Sequence, residues 1–238
     1  MKAPRLIAAL MAITSGAAFA QSAGNEFVQR NVNQQQRIEQ GLQSGQLTTR
    51  EAARLEKGES RVENMEARAL RDGQVTRNEA RHIDQAQDRL SRDIYREKHD
   101  AQVGNPNSPS SQRMQADVAR NINQQQRIAQ GVRSGQLTPG EAGRMQHREA
   151  TINRMQGRAG ADGHVGRNEQ RGIQHAQNHQ SEAVWRQKHD RQEGGWNRRG
   201  ENGNHYGNSG NHGRHAGWGQ GNNHRGPQAA GHMQVARR

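Results

Sequence analysis

Apolar residues recur along this chain at spacings of three, four and seven, and no stretch alternates. Val28, Val32, Ile38 and Leu42 form one loose stripe. Ala52, Leu55, Val62, Met65 and Ala69 form a second, and Ala80, Ile83, Ala86, Leu90 and Ile94 a third. Such spacings place side chains on one face of an α-helix, whereas a half-buried strand alternates. The pattern predicts helices over about residues 27–43, 49–71 and 77–98. Glu, Gln and Arg fill the other faces and favour helix as well.

Between the stripes lie turns of the form Gly-x-(Leu/Val)-x-x-x-Glu, built on Gly45, Gly73, Gly135 and Gly163. A glycine there ends one helix in the left-handed conformation. Thr48 then caps the next helix, and Glu51, three residues on, reaches back to the cap's own amide in a reciprocal capping box. Thr76 with Glu79 and Thr138 with Glu141 repeat it, the latter with Pro139 at the first helical position. Gly166 with Glu169 is a weaker form without a side-chain acceptor. Leu47 and Val75 are placed to pack the corners. Short turns imply antiparallel neighbours.

The elements come in two copies. Residues 28–102 and 118–192 align at an offset of 90 without a gap, with 39 identities in 75 positions. Arg30 to Ile38 returns as Arg120 to Ile128, and Lys98-His99-Asp100 as Lys188-His189-Asp190. Copy two is poorer in apolar and helix-forming residues: Leu90 becomes Gln180, Leu70 becomes Gly160 and Ala67 becomes Gly157. It is expected to be the less stable. The organisation read from this is all-α: a module over 27–102, a Gly/Pro/Asn/Ser-rich linker over 103–117, a second module over 118–192, each of about three antiparallel helices, and a disordered Gly/Asn/His/Arg-rich tail over 193–238.

The strings Ser44 to Glu51, Arg71 to Glu79 and Tyr95 to Asp100 (SGQLTTRE, RDGQVTRNE, YREKHD) resemble those of a group of exported bacterial proteins built from one or more such modules. The resemblance covers both modules and not the tail. It implies export and a helical module, and no activity.

The first twenty residues agree with export. Lys2 and Arg5 precede an apolar run from Leu6 to Ile13, and Ala18-Phe19-Ala20 is a small-x-small cleavage site. Cleavage there would start the mature chain near Gln21, in the periplasm or outside the cell. The run is far shorter than the roughly 20 apolar residues a membrane span needs. With no cysteine in the chain, thiol catalysis, thiolate metal sites and disulfides are excluded.

Hydrophobic residues make up 29% and aromatics 3% of the chain, so a large apolar core is not expected. Charge is uneven. Copy one has 14 basic and 13 acidic residues, copy two 12 and 6, the tail 6 and 2. A basic second half suggests an anionic partner. In the tail, Arg198, Arg199, Arg214 and Arg225 lie among glycines with Trp196, Tyr206 and Trp218 interleaved. Export argues against ordinary nucleic acid and for an acidic envelope polymer. Thin stripes on long helices would also let modules pair between chains.

Three chemistries bear on this frame. The turns resemble the second half of an EF-hand loop, but Arg68 and Leu70, or Gln40 and Leu42, stand at the first and third ligand places. Helix capping accounts for Gly, Thr and Glu there without an ion. His175, His179 and Glu182 lie four and seven apart on one helical face, a set suited to Zn, Ni or Cu. His205, His212 and His215 in the tail add imidazoles that a flexible tract can gather. Lys98-His99-Asp100 reads as a cationic helix end, since adjacent residues on a helix do not face each other. The expectation is therefore an exported, non-enzymatic helical repeat protein. It binds divalent metal through the histidines of copy two and the tail, or else anionic envelope polymer through its basic second half.

Overall fold

Six helices make up the computed structural model, which describes residues 14–189. They are α1 (Thr14–Ser44), α2 (Thr49–Ala69), α3 (Arg77–Lys98), α4 (Pro109–Arg133), α5 (Pro139–Ala159) and α6 (Arg167–His189), with no strand among the described residues. The all-α expectation holds, and α2 and α3 begin at the residues the capping pattern marks. The Thr48–Glu51, Thr76–Glu79 and Thr138–Glu141 capping boxes all form. Gly166 offers only its amide, which donates to Glu169 Oε2 at 2.8 Å.

The α1–α2 corner shows why the turn sequence is what it is. Gly45 takes φ +78°, and the Leu47 amide reaches back six residues to the Gly41 carbonyl at 2.9 Å. Leu47 then lies flat on Gly41, where a Cβ would come within 2.6 Å of it. Gly131, Gly135 and Leu137 repeat the arrangement in copy two.

Two boundaries differ from the reading of the sequence. The stretch 103–117 is not all linker: Ser108 caps α4, Pro109 occupies its first turn, and the helix runs from there. Serine as cap and proline inside the first turn are start signals for a helix, not marks of a coil. The first helix also begins earlier, at Thr14, and runs unbroken past Ala20, the expected cleavage point. It is held there by packing of Ala20, Ala23 and Phe27 into the core and by Gln21 Nε2 donating to the Val132 carbonyl at 2.9 Å. The tail expected over 193–238 lies outside the described residues.

The three helices of each copy contact one another, and the two copies also pack directly on each other. The most extensive interfaces cross between them, α2 against α5 and α1 against α4. The described helices form one compact unit. The α2–α5 pair is antiparallel, and its contact line is small at every seventh residue: Ala53, Ser60 and Ala67 on α2, Gly143, Ala150 and Gly157 on α5. Gly157 lies on Ala53 and Lys57, Gly143 on Ala67 and Leu70, and the Ser60 hydroxyl bonds the Ala150 carbonyl at 2.7 Å. A seven-residue repeat keeps one face of each helix on its partner, and small residues there let the backbones approach. The apolar core is split in two. One cluster joins Ile38, Leu42, Leu47 and Leu55 to Met114, Val118 and Val165; the other joins Phe27, Val28, Leu70 and Val75 to Ile128, Val132 and Leu137. Each cluster thus unites the first turn of one copy with the second turn of the other.

Candidate functional site

What separates the apolar clusters is polar. Glu56, Glu59, Glu63 and Glu66 recur on α2 at helical spacing, and every one is fully buried. Amides from α1, α3, α4 and α5 meet all of them but Glu59. Asn31 Nδ2 donates to Glu66 Oε2 at 2.7 Å, and Gln87 Nε2 to Glu66 Oε1 at 3.0 Å. Gln35 Nε2 donates to Glu56 Oε2 at 3.0 Å. Glu63 takes Gln125 Nε2 at 2.7 Å and Asn153 Nδ2 at 2.8 Å, both from copy two. Copy two repeats the pattern with neutral groups: Asn121 donates to Gln156 Oε1 at 2.8 Å and receives Gln177 Nε2 at 2.7 Å. Asn31, Gln34 and Gln35 of the shared opening motif, with Asn121, Gln124 and Gln125 in copy two, are therefore core residues, a role the apolar stripes concealed.

Burial favours the protonated form of these acids, while Asn31, Gln87 and Arg30 pull Glu66 the other way. Desolvation pushes Glu56 and Glu149 up to about 8 and Glu66 up to about 7. Glu59 and Glu63 rise well above the ordinary range, first through burial and then through neighbouring carboxyls. Burial lifts Asp117 to about 7, with Arg120 pulling the other way. Glu59 meets no donor on either oxygen. A neutral buried carboxyl costs far less than an ionised one.

The inward turn of α2's carboxylates leaves its outer face to cations. Arg61 and Arg68 on α2, Arg71 just after it, Arg144, Arg148 and Arg154 on α5, and Arg186 on α6 line one groove of about 1230 Å³. All seven are exposed. Ala67, Gly143, Met65 and Met145 contribute the small and apolar part of its wall, and no carboxylate is among the described residues that line it. Among the described residues, only Arg144 of the seven has a carboxylate within 4 Å, Glu141 Oε1 at 3.7 Å. Arg144 also donates to Gln187 Oε1 at 3.1 Å. Guanidinium groups gathered without counter-ions raise the local potential and bind carboxylate, sulfate or phosphate in two-pronged fashion.

The sequence-predicted metal residues are partly gathered. His175 and His179 are exposed on α6, their rings edge-on with Nε2 atoms 3.0 Å apart. Glu182 is exposed too, but its carboxylate lies 3.9 Å from His179 Nδ1, the opposite edge of that ring. The structure therefore brings together two imidazole nitrogens and sets the carboxylate aside from them. His205, His212 and His215 lie outside the described residues. His99 and His189 close helix ends: each Nδ1 lies 2.7 Å from a carbonyl oxygen four residues back, Tyr95 or Trp185, and each ring stacks on that aromatic side chain. No helix among the described residues is long and apolar enough to cross a membrane.

Comparison with protein-family models, with curated proteins and with solved structures found no match.

Proposed function

We propose that this chain is a non-enzymatic, exported envelope protein that holds an anionic polymer in the groove between α2 and α5. The observation that carries the reading is the segregation of charge: Glu56, Glu59, Glu63 and Glu66 of α2 are buried, and arginines from both copies line one groove with no carboxylate among its described lining residues. The residues concerned belong to both halves of the chain, not to the basic second half alone. The glycine and arginine tail would add to the same electrostatics. The resemblance to exported bacterial modules and the leader-like first twenty residues support the location.

A direct experiment is titration of the full chain with a sulfated or phosphorylated polysaccharide at several salt concentrations, beside the double variant Arg61→Glu/Arg148→Glu. Binding that weakens steeply with salt and collapses in the variant supports the groove. Equal binding by both proteins refutes it and leaves the tail as the cationic partner.

A second reading keeps the expectation of divalent metal. It rests on the convergence of His175 and His179 Nε2 at 3.0 Å, a separation at which two imidazoles can share one Ni, Cu or Zn ion, with His205, His212 and His215 available from the tail. Nickel titration of the full chain at moderate salt, with and without His175→Ala, separates this reading from the first.

A further inference from the structure

Among the described residues, a single cluster of three acidic or imidazole groups brings one donor atom each to within 4.8 Å of one another: Glu51, Glu97 and Asp100. It is not made of the loop positions that resemble an EF-hand; Glu51 alone is shared with them. Glu51 is the capping glutamate of α2, Glu97 lies in the last turn of α3, and Asp100 follows that helix.

The second observation concerns individual oxygens. Glu51 is wholly buried. The Thr48 amide and hydroxyl both go to its Oε2, at 2.8 and 2.9 Å, and its Oε1 is buried with no hydrogen-bond donor. Glu97 Oε2 is buried without one as well. Its nearest cation is Arg54 Nη1 at 3.5 Å, on a side chain half exposed to water. One guanidinium against three carboxylates leaves the cluster negative. Like charges this close are unfavourable unless a proton or a cation joins them.

Copy two supplies an internal comparison. There Gln187 stands where copy one has Glu97. Arg144, the counterpart of Arg54, lies 3.7 Å from Glu141 Oε1 and donates to Gln187 Oε1 at 3.1 Å. By sequence that place in copy two keeps two carboxylates, Glu141 and Asp190, instead of three, and neither Glu141 oxygen is both buried and without a donor. Copy one has an added carboxylate and two oxygens to spare at the same place.

We infer that Glu51, Glu97 and Asp100 form a binding site for a hard divalent cation, calcium foremost, that ties the end of α3 to the start of α2. Carboxylate oxygens at mixed depth, with Asp100 open to water, suit calcium, which takes six to eight oxygens in flexible geometry; magnesium demands a tighter octahedron. The C-terminal carbonyls of α3 add to the attraction. The segment after the site is already fitted to the turn: Gly104 donates its amide to the Gly45 carbonyl at 2.8 Å, and a Cβ at Gly104 would lie 2.2 Å from the Leu47 carbonyl. Binding of the cation must displace Arg54 from Glu97.

The experiment is thermal unfolding of the full chain with calcium or with chelator. Terbium luminescence, excited through the aromatic residues and quenched by competing calcium, gives a second readout. Glu97→Gln copies the residue that copy two already carries, so it should fold. Calcium is expected to raise the melting temperature of the natural chain, Glu97→Gln to abolish the rise and the terbium signal, and Arg54→Gln to keep the rise or enlarge it. No calcium response in the natural chain, or the same response in Glu97→Gln, overturns the site. Calcium has little taste for imidazole, so the outcome is independent of the histidines and of the arginine groove.

Discussion

The Ser60 hydroxyl donates to the Ala150 carbonyl at 2.7 Å, and these two residues are the same position of the repeat. They mark the point about which α2 and α5 are related by an approximate two-fold axis. Seven residues to either side, Ala53 meets Gly157 and Ala67 meets Gly143, so each close approach pairs one alanine with one glycine. The glycines of copy two are therefore not simple losses of helix propensity. A Cβ on Gly157 would lie 2.9 Å from the Ala53 carbonyl, and one on Gly160 2.8 Å from the Ala53 side chain.

Restoring the copy-one residue at such a place should harm the fold. Gly160→Leu inserts a branched side chain where Ala53 Cβ, Met114 Cε and the Thr49 carbonyl leave no room. Over-packing of this kind costs about 1–3 kcal/mol. A lower urea midpoint at unchanged slope is the expected result; a rise in the midpoint would mean the helices separate freely.

The buried acids set the pH dependence. Unfolded glutamates titrate near 4.5, whereas in the folded chain Glu66 titrates near 7 and Glu56 and Glu149 near 8, with Glu59 and Glu63 also raised. Between those limits the folded chain holds protons that the unfolded chain has lost. Stability is therefore greatest below the unfolded value and declines as pH rises through the folded ones, by about 1.4 kcal/mol per pH unit for each such proton. Urea midpoints at about pH 4, 6 and 8 should fall in that order. Glu59→Gln removes a group that no donor meets, so it should raise stability at the alkaline end and flatten the decline.

Turns and caps are local, so Gly45, Thr48 and Glu51 announce themselves in the sequence without knowledge of the fold. The polar core does not, because apolar periodicity passes over it. Yet Glu56, Glu59, Glu63 and Glu66 step by three, four and three along the same helix as Leu55 and Val62, and Asn31, Gln34 and Gln35 are kept unchanged in copy two. A stripe of acids with that period is the signal the sequence carries. The groove is a different matter. Arg61 and Arg148 become neighbours only once α2 is laid antiparallel on α5, a tertiary fact. The seven-residue spacing of Ala53, Ser60 and Ala67 is the one hint of it.

The capping boxes offer a reciprocal pair of substitutions. Thr76 accepts the Glu79 amide at 3.2 Å on an exposed turn, so Thr76→Ala should cost about 1 kcal/mol. Its copy-two counterpart is Gly166, which caps with backbone alone. Gly166→Thr should restore the box and stabilise by a few tenths of a kcal/mol. Thermal midpoints that move in the same direction for both variants would contradict the capping account.

In the groove, Arg61, Arg148 and Arg154 have no carboxylate within 4 Å among the described residues, so replacing them should weaken polyanion binding without loosening the fold. Each of Arg61→Gln, Arg148→Gln and Arg154→Gln should lower affinity and reduce the slope of log affinity against log salt by about one for each anionic group it no longer neutralises. The unfolding free energy should stay within about 0.5 kcal/mol of the natural chain in each case, leaving the urea midpoint nearly unchanged. A changed midpoint with an unchanged salt slope would place these arginines in the scaffold instead.

The histidine pair makes the last prediction, and its geometry tells the three residues apart. If His175 and His179 take nickel through the two Nε2 atoms that lie 3.0 Å apart, the ion occupies the edge of the His179 ring away from Glu182, whose oxygen faces Nδ1 at 3.9 Å. His175→Ala and His179→Ala should then each remove the α6 contribution to nickel binding, while Glu182→Gln leaves it nearly intact. Removal of His205, His212 and His215 together reports on the tail separately. Binding must also weaken as pH falls, since protons compete with the metal for imidazole nitrogen. Calorimetry at about pH 7.5 and 5.5 checks both points, and loss of binding in Glu182→Gln would show that the carboxylate swings to join the two nitrogens.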